Sequence, residues 1–436
     1  MFPDLLTHVR RVAFALLAGL ALASTSACRA SAPLPPASAS ASDLRPTVIL
    51  LSIDGWRWDY HTKADVPNLR RLIVRGVHAD ALIPAFPSKT FPNHYTIVTG
   101  LYPGHHGVVG NNMREPGTPL TFSIGDRRAV TDARWWGGEP LWVTAKRQGH
   151  KVAPLFWPGA EAPIGGMLPD YWKQFDDGVP NDARVDQLLE WLDLPADQRP
   201  TFLTGYFSNV DHAGHYGGPD SPELLRALGD ADRALGRLLD GLASRGLLER
   251  VNVVVVSDHG MATLSPNRTI VLSDYLDVNA VDIVELSPNL AINPGRLTVD
   301  QIYRRLSGAH PRLRVYRREE SPPHWRFRDH PRIPAIVGVA DEGWSVVRRR
   351  SVPSRVLHGN HGYDPQVRSM HGLFVAAGPA FRRGATVPAF ESVHVYNVLA
   401  RILGVTPAPN DGDPAIAEQL LTGVGNSANV SARAAR

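Results

Sequence analysis

Val48-Ile-Leu-Leu-Ser-Ile-Asp54 is the stretch whose reading decides the fold. All but one of the residues before the aspartate are apolar, and Val48, Ile49 and Ile53 are β-branched. An unbroken apolar run of this kind reads as a strand buried on both faces, as in parallel α/β sheets. It stops at Asp54-Gly55, a carboxylate at the carboxyl end of a buried strand, which is where open α/β sheets place their ligands. Asn252-Val-Val-Val-Val-Ser-Asp-His-Gly260 repeats the pattern and ends in Asp258-His259. Two such carboxylates side by side would repel unless a cation lay between them, so the chain alone points to metal.

Composition narrows the ligand set. The chain has 436 residues, 43% hydrophobic and 20% charged, enough for one large α/β domain with an insertion. A net charge of +4 excludes a bulk binder of macromolecular nucleic acid. Seventeen histidines against one cysteine mean that a metal site must be built from His, Asp and Glu.

Residues 1–28 form a targeting segment: Arg10-Arg11, the apolar run Val12 to Ala23, then small residues ahead of Cys28. The apolar core is too short to span a membrane and has the layout of a bacterial export signal. Cys28 sits as at a lipoprotein processing site, although Thr25 stands where Leu is usual. The expected location is the periplasm or the outer membrane, with membrane contact only through a lipid anchor on Cys28. Ordinary cleavage nearby is the alternative. Residues 29–46 are an Ala/Ser/Pro tether, and 424–436 a frayed tail. The catalytic domain is expected at 47–261 and 358–423. Between them, 262–357 reads as an inserted cap in which βα alternation fades and thirteen arginines fall between Arg304 and Arg355. Those arginines read as a solvated face, or else as an anionic surface contact.

Along the chain, Val66 to Arg75 places Leu69, Leu72 and Ile73 at helical spacing and is stopped by Gly76. Prolines 84, 87 and 92 break regular structure until a helix running to Thr99, which puts Thr90 at or just before a helix amino terminus. Free N–H groups there favour an anion such as phosphate, although an N-cap threonine would look the same. Asn111, in the glycine-punctuated loop Leu101 to Asn112, is either a turn residue or a neutral donor for charge developing on oxygen. Thr201 to Phe207 reads as a strand, and Asp211 and His215 follow it at a spacing that can meet one metal. Gly214 favours a loop there over a helical turn. Trp135, Trp136, Trp142, Trp157 and Trp172, with Phe156, Tyr171 and Phe175, are core aromatics or stacking surfaces.

In order along the chain, Ser-Ile-Asp54-Gly, Phe86-Pro-Ser-Lys-Thr90-Phe-Pro-Asn-His94, Gly-Asn111-Asn-Met and Gly138-Glu-Pro-Leu-Trp-Val-Thr-Ala precede Trp157-Pro-Gly and Asp211-x-x-Gly-His215. Ser-Asp258-His259-Gly-Met, His361-Gly-Tyr-Asp and Val395-Tyr-Asn follow. Together they resemble the nucleotide pyrophosphatase/phosphodiesterase family of the alkaline phosphatase superfamily. The resemblance implies an α/β fold with a mostly parallel sheet, helices on both faces and a smaller inserted subdomain. It also implies two zinc ions, one held by Asp211, His215 and His361, the other by Asp54, Asp258, His259 and the Thr90 oxygen. Thr90 would attack phosphorus to give a phosphothreonine, with Asn111 and the Thr90 or Phe91 N–H holding an oxygen. Phe91, Trp157, Phe175 and Tyr206 would contact the substrate; Phe175 falls where the family commonly has tyrosine. The expected substrate is a small nucleotide or phosphodiester, with nucleoside 5′-monophosphate released. The larger animal members' cysteine-rich and nuclease-like modules have no match here.

Sulfatases share the superfamily fold but need C/S-x-P-x-R, which does not surround Thr90. Phosphomonoesterase activity, cleavage of choline-containing lipids, and a surface protein that binds zinc or phosphate without catalysis remain as rival readings.

Overall fold

The structure is a computed structural model that describes residues 44–350 and 356–423. The expected export signal, Cys28, nearly all of the expected tether and the expected tail lie outside the described residues. The principal elements of the amino-terminal part are β1 (Thr47–Ile53), α1 (Pro67–Arg75), β2 (Val77–Ala79), α2 (Thr90–Thr99), β3 (Asn112–Arg114) and β4 (Val152–Pro154). Next come α3 (Asn181–Leu192), β5 (Phe202–Phe207), α4 (Asn209–Gly217), α5 (Pro222–Ser244) and β6 (Val251–Val256). Four strands follow, β7 (Val281–Glu285), β8 (Asn289–Pro294), β9 (Leu313–Arg317) and β10 (Ile336–Ala340). The chain then returns through β11 (Phe374–Ala377), β12 (Ala385–Val387) and α6 (Val395–Leu403).

The central sheet has the order β12-β2-β11-β6-β1-β5-β4. β1 lies in the middle, parallel to β5 on one side and β6 on the other, with Leu50 opposite both Thr204 and Val254. β11 runs antiparallel to β6 and β2, so the sheet is mostly parallel. Every residue of β1 is buried because both of its faces are covered. Val48 and Leu50 pack with Ile97 and Val98 of α2 and Val398 and Leu399 of α6. Ile49, Leu51 and Ile53 pack instead with Leu69 of α1, Leu188 of α3 and Leu235 and Leu239 of α5. The side-chain alternation of a strand thus feeds two cores, which is why the sequence there shows no polar alternation.

Between β6 and β11, strands β7 to β10 form a separate antiparallel sheet in the order β7-β8-β10-β9. It packs around its own apolar cluster, including Ile292, Ile302 and Ile336. Several of its arginines form ion pairs with nearby acids, as in Arg317–Asp300, Arg312–Asp341 and Arg350–Asp274. Arg332 does otherwise. It reaches the main domain, pairing with Glu115 at 2.6 Å and donating to the carbonyls of Gly107, Arg134 and Trp135.

Two local expectations are corrected. Residues 101–112 include a helical turn at Pro103–His106, started by its proline and closed by Gly107 at φ 77°. Asp211 and His215 lie on the helix α4, not on a loop. Gly214 is there for packing: a Cβ at that position would sit 2.9 Å from Cε of Met261.

Candidate active site

β1, β5 and β6 end side by side, and the site is built on their carboxyl ends. The Asp54 N–H donates to the Phe207 carbonyl at 2.9 Å, which extends the β1–β5 ladder to the carboxylate itself. Gly55 then turns at φ 68°, and a Cβ there would lie 2.9 Å from Cα of Asp211. Only glycine lets α4 approach this closely. From β6, Asp258 and His259 enter the same space, and His361 comes from the segment before β11.

The side chains meet in overlapping groups. Asp211, His215 and His361 are close enough to share an ion, and so are Asp54, Asp211 and His259, and Asp54, His94 and Asp258. In the first group, His215 Nε2 is 3.5 Å from Asp211 Oδ2 and 3.2 Å from His361 Nε2. Around β6, His259 Nε2 lies 3.0 Å from Asp258 Oδ2 and 3.5 Å from Asp54 Oδ1. The His259 and His361 rings stack at 3.5 Å, joining the groups into one cluster.

Their electrostatics fit cations. Asp54 Oδ1 and Asp211 Oδ1 are buried with no hydrogen-bond donor, and the buried Asp258 Oδ2 has only the ring nitrogens of His259 and His94 beside it. Buried carboxylate oxygens left without donors are costly unless a cation meets them. Burial, then the charges of Asp258 and Asp211, push the Asp54 carboxyl well above its ordinary range. Burial also raises Asp258, but His259 and His94 outweigh it and hold that carboxyl well below. Burial, with His259 and His215 nearby, drives His361 well below its usual value, toward the neutral form that ligates metal. Its Nδ1 lies 2.8 Å from the Ser88 carbonyl and His215 Nδ1 2.9 Å from the Gly359 carbonyl, which aims both Nε2 atoms at Asp211.

Thr90 is the first residue of α2. The N-cap position falls to Lys89, and no side chain caps this helix, so the Thr90 hydroxyl is not spent on capping. Thr90 Oγ1 lies 3.3 Å from His259 Nε2. One residue on, the Phe91 N–H donates to Asn111 Oδ1 at 3.1 Å, so Asn111 is tied to the helix start rather than serving only as a turn.

A cavity of about 420 Å³ opens from this cluster. Asp54, Thr90 and Asp211 form one end; Phe91, Ile124, Phe156, Trp157, Phe175 and Tyr206 give it aromatic and apolar walls. Among the expected substrate contacts, Phe91, Trp157, Phe175 and Tyr206 all line it, while Asn111 stands behind Phe91. Trp157 is nearly fully buried and donates its indole N–H to the His94 carbonyl at 3.0 Å, whereas Phe175 is 41% exposed. Trp135, Trp136 and Trp142 are core residues. Among the described residues of 262–357, none is on this cavity wall.

A match to the family model for type I phosphodiesterase / nucleotide pyrophosphatase covers residues 48–364, from β1 through His361. The chain belongs to this family. Among curated members of the phosphodiesterase family, human ectonucleotide pyrophosphatase/phosphodiesterase family member 5 is 37% identical over 366 residues, which is 84% of this chain and 76% of that protein. The venom phosphodiesterase CdcPDE of Crotalus durissus collilineatus is 38% identical over 376 residues. The chain spans about 45% of that longer relative. Among solved family structures, murine ectonucleotide pyrophosphatase/phosphodiesterase 5 matches with a TM-score of 0.82 at 37% identity, over 86% of this chain and 99% of the other. That structure is of an inactive threonine-to-alanine variant in complex with AMP. The fold is thus the alkaline-phosphatase-like one expected for a family member.

One residue of this site, His94, is given no role from the sequence, and another, Tyr206, is given only part of its role. His94 stands four residues after Thr90 on the same face of α2, with Nδ1 2.9 Å from the Thr90 carbonyl and 3.3 Å from Asp258 Oδ2, and Nε2 2.8 Å from Ser52 Oγ. Its i,i+4 spacing from Thr90 was the available signal. Tyr206, expected only as a pocket wall, also donates its hydroxyl to Asp54 Oδ2 at 2.6 Å.

Proposed function

We propose that the protein is a zinc-dependent phosphodiesterase/nucleotide pyrophosphatase that cleaves nucleotide diesters or nucleoside triphosphates to nucleoside 5′-monophosphates. The observation that carries this reading is the Thr90 hydroxyl: uncapped, open to the cavity and set beside His259 among carboxylate oxygens that lack donors. Asp211, His215 and His361 would hold one zinc, and Asp54, Asp258, His259 and Thr90 the other. When bound, such a pair neutralises charge on the attacking, leaving and non-bridging oxygens of phosphoryl transfer.

The chain's own residues then divide the work. Thr90 Oγ1 gives up its proton to solvent and forms a bond to phosphorus as the bond from phosphorus to the leaving oxygen breaks, and the departing group leaves with that electron pair. Water next attacks the same phosphorus, the bond from phosphorus to Oγ1 breaks, and threonine recovers a proton from that water. The Asn111 Oδ1 is engaged by the Phe91 N–H, which turns its Nδ2 group into the donor available to a non-bridging oxygen. Tyr206 fixes the rotamer of Asp54. The threonine-to-alanine change described as inactive in the murine relative supports the role given to Thr90.

The pocket wall favours a neutral planar group over a choline cation. Glu161 is paired with Arg127, and Asp177 lies 3.6 Å from Arg184 and 3.7 Å from His212. No uncompensated acid on the outer wall is left for a quaternary ammonium, which aromatic cages recognise by cation–π contact. Phe91 and Phe175 present flat apolar faces on which a nucleobase can stack. Chromatography of the products from ATP tests the reading: AMP and pyrophosphate are expected, and accumulation of ADP and phosphate would contradict it.

A further inference from the structure

The edge of the inserted sheet touches the two loops that carry the groups assigned to chemistry. β7 ends at Glu285 in a register shift between Ile283 and Glu285, and such a bulge re-aims a side chain. Glu285 is only 9% exposed, yet its carboxylate meets neutral donors. Oε2 accepts the Asn112 backbone N–H at 3.0 Å, and the Asn112 side-chain amide donates to Oε1 at 3.2 Å and Oε2 at 3.3 Å. A second link, Arg114 to Asp282 at 3.3 Å, lies farther along the same pair of strands, β3 and β7.

Two residues beyond Glu285, the Ser287 carbonyl accepts from Lys89 Nζ at 2.9 Å. Lys89 is 7% exposed, and the facing charges that favour its ammonium are those of Glu285 and Asp211. The segment 285–287 therefore grips the residue just after Asn111 and the residue just before Thr90. Burying a carboxylate against neutral donors is costly. A fold that needed only to attach the insert could have used an exposed ion pair such as Arg114–Asp282.

We propose that Glu285 is a positioning residue for the reaction: through Asn112 it fixes Asn111 relative to Thr90, so the inserted sheet sets the separation between nucleophile and amide donor. This rests on the roles given above to Thr90 and Asn111. Displacement of such a donor by a fraction of an ångström is felt in kcat more than in KM, because the contact is made most fully in the transition state.

The test is a double-mutant cycle on the zinc-loaded full chain, with a p-nitrophenyl nucleotide diester as substrate. Asn111→Ala alone should lower kcat by about 10²-fold, the usual size of a lost oxyanion donor. Glu285→Ala should lower kcat by roughly tenfold or more with KM nearly unchanged, and Glu285→Asp should recover part of the loss. In the Asn111→Ala background the further effect of Glu285→Ala should shrink to about twofold or less. Equal losses from Glu285→Ala in both backgrounds, or a loss that follows zinc content or Tm in every variant including Glu285→Asp, would overturn the positioning role. An unchanged kcat for Asn111→Ala would instead overturn the role of Asn111 itself, and the inference with it.

Discussion

Thr90→Ala will abolish nearly all turnover while leaving zinc bound. In the proposed route the hydroxyl supplies the attacking oxygen, and removal of a covalent nucleophile costs about 10³-fold or more even when the rest of the machinery survives. The change deletes few atoms from a partly exposed position at the start of α2, where no cap is lost. Folding should therefore be spared. Zinc content by mass spectrometry should stay near two per chain, since carboxylates and imidazoles make up the rest of the proposed set. AMP should still bind, as it does to the threonine-to-alanine variant of the murine relative. A variant that turns over at the wild-type rate would exclude the covalent route.

Asp54→Asn should have the second-largest effect. Its Oδ1 is buried without a donor, and its Oδ2 accepts from Tyr206, so an amide placed here offers one neutral oxygen where a charged pair stood. The expected outcome is loss of one of the two proposed zinc ions. The accompanying fall in turnover should exceed the roughly 10–100-fold cost of losing an outer-shell partner. Burial and the neighbouring Asp258 and Asp211 charges raise the Asp54 carboxyl when the protein stands alone, and a cation between them reverses that repulsion. Full retention of both ions would remove Asp54 from the ligand set.

Much of this site was legible in the sequence because its framework is local. β1 and β6 are apolar runs ended by carboxylates, and a doubly covered strand can hardly look otherwise. The start of α2 at Thr90 follows from proline chemistry, and the end of α1 from Gly76. What escaped depends on contacts distant in sequence. Tyr206 reaches Asp54 because the parallel register sets it opposite Ser52, and no local pattern encodes that register. Glu285 reads as an ordinary strand-end acid until β7 is laid against β3. Gly214 misled because glycine serves loops and close packing alike; here it lies inside α4, packed against the Met261 side chain.

The inserted sheet changes how the site is to be understood. It contributes no wall to the cavity, yet it holds the residues flanking Thr90 and Asn111. On the proposed roles, substrate choice and catalytic alignment fall to different parts of the chain: aromatic loops of the main domain for the first, the edge of a separate sheet for the second.

The central claim is metal-dependent diester cleavage at Thr90, and initial rates test it most directly. A p-nitrophenyl nucleotide diester and p-nitrophenyl phosphate should be compared on the same preparation, before chelation, after it, and after zinc is restored. The diester is expected to be the far better substrate, chelation to abolish its cleavage, and zinc to restore it. A monoester rate higher by orders of magnitude, or diester cleavage that survives complete removal of metal, would contradict it.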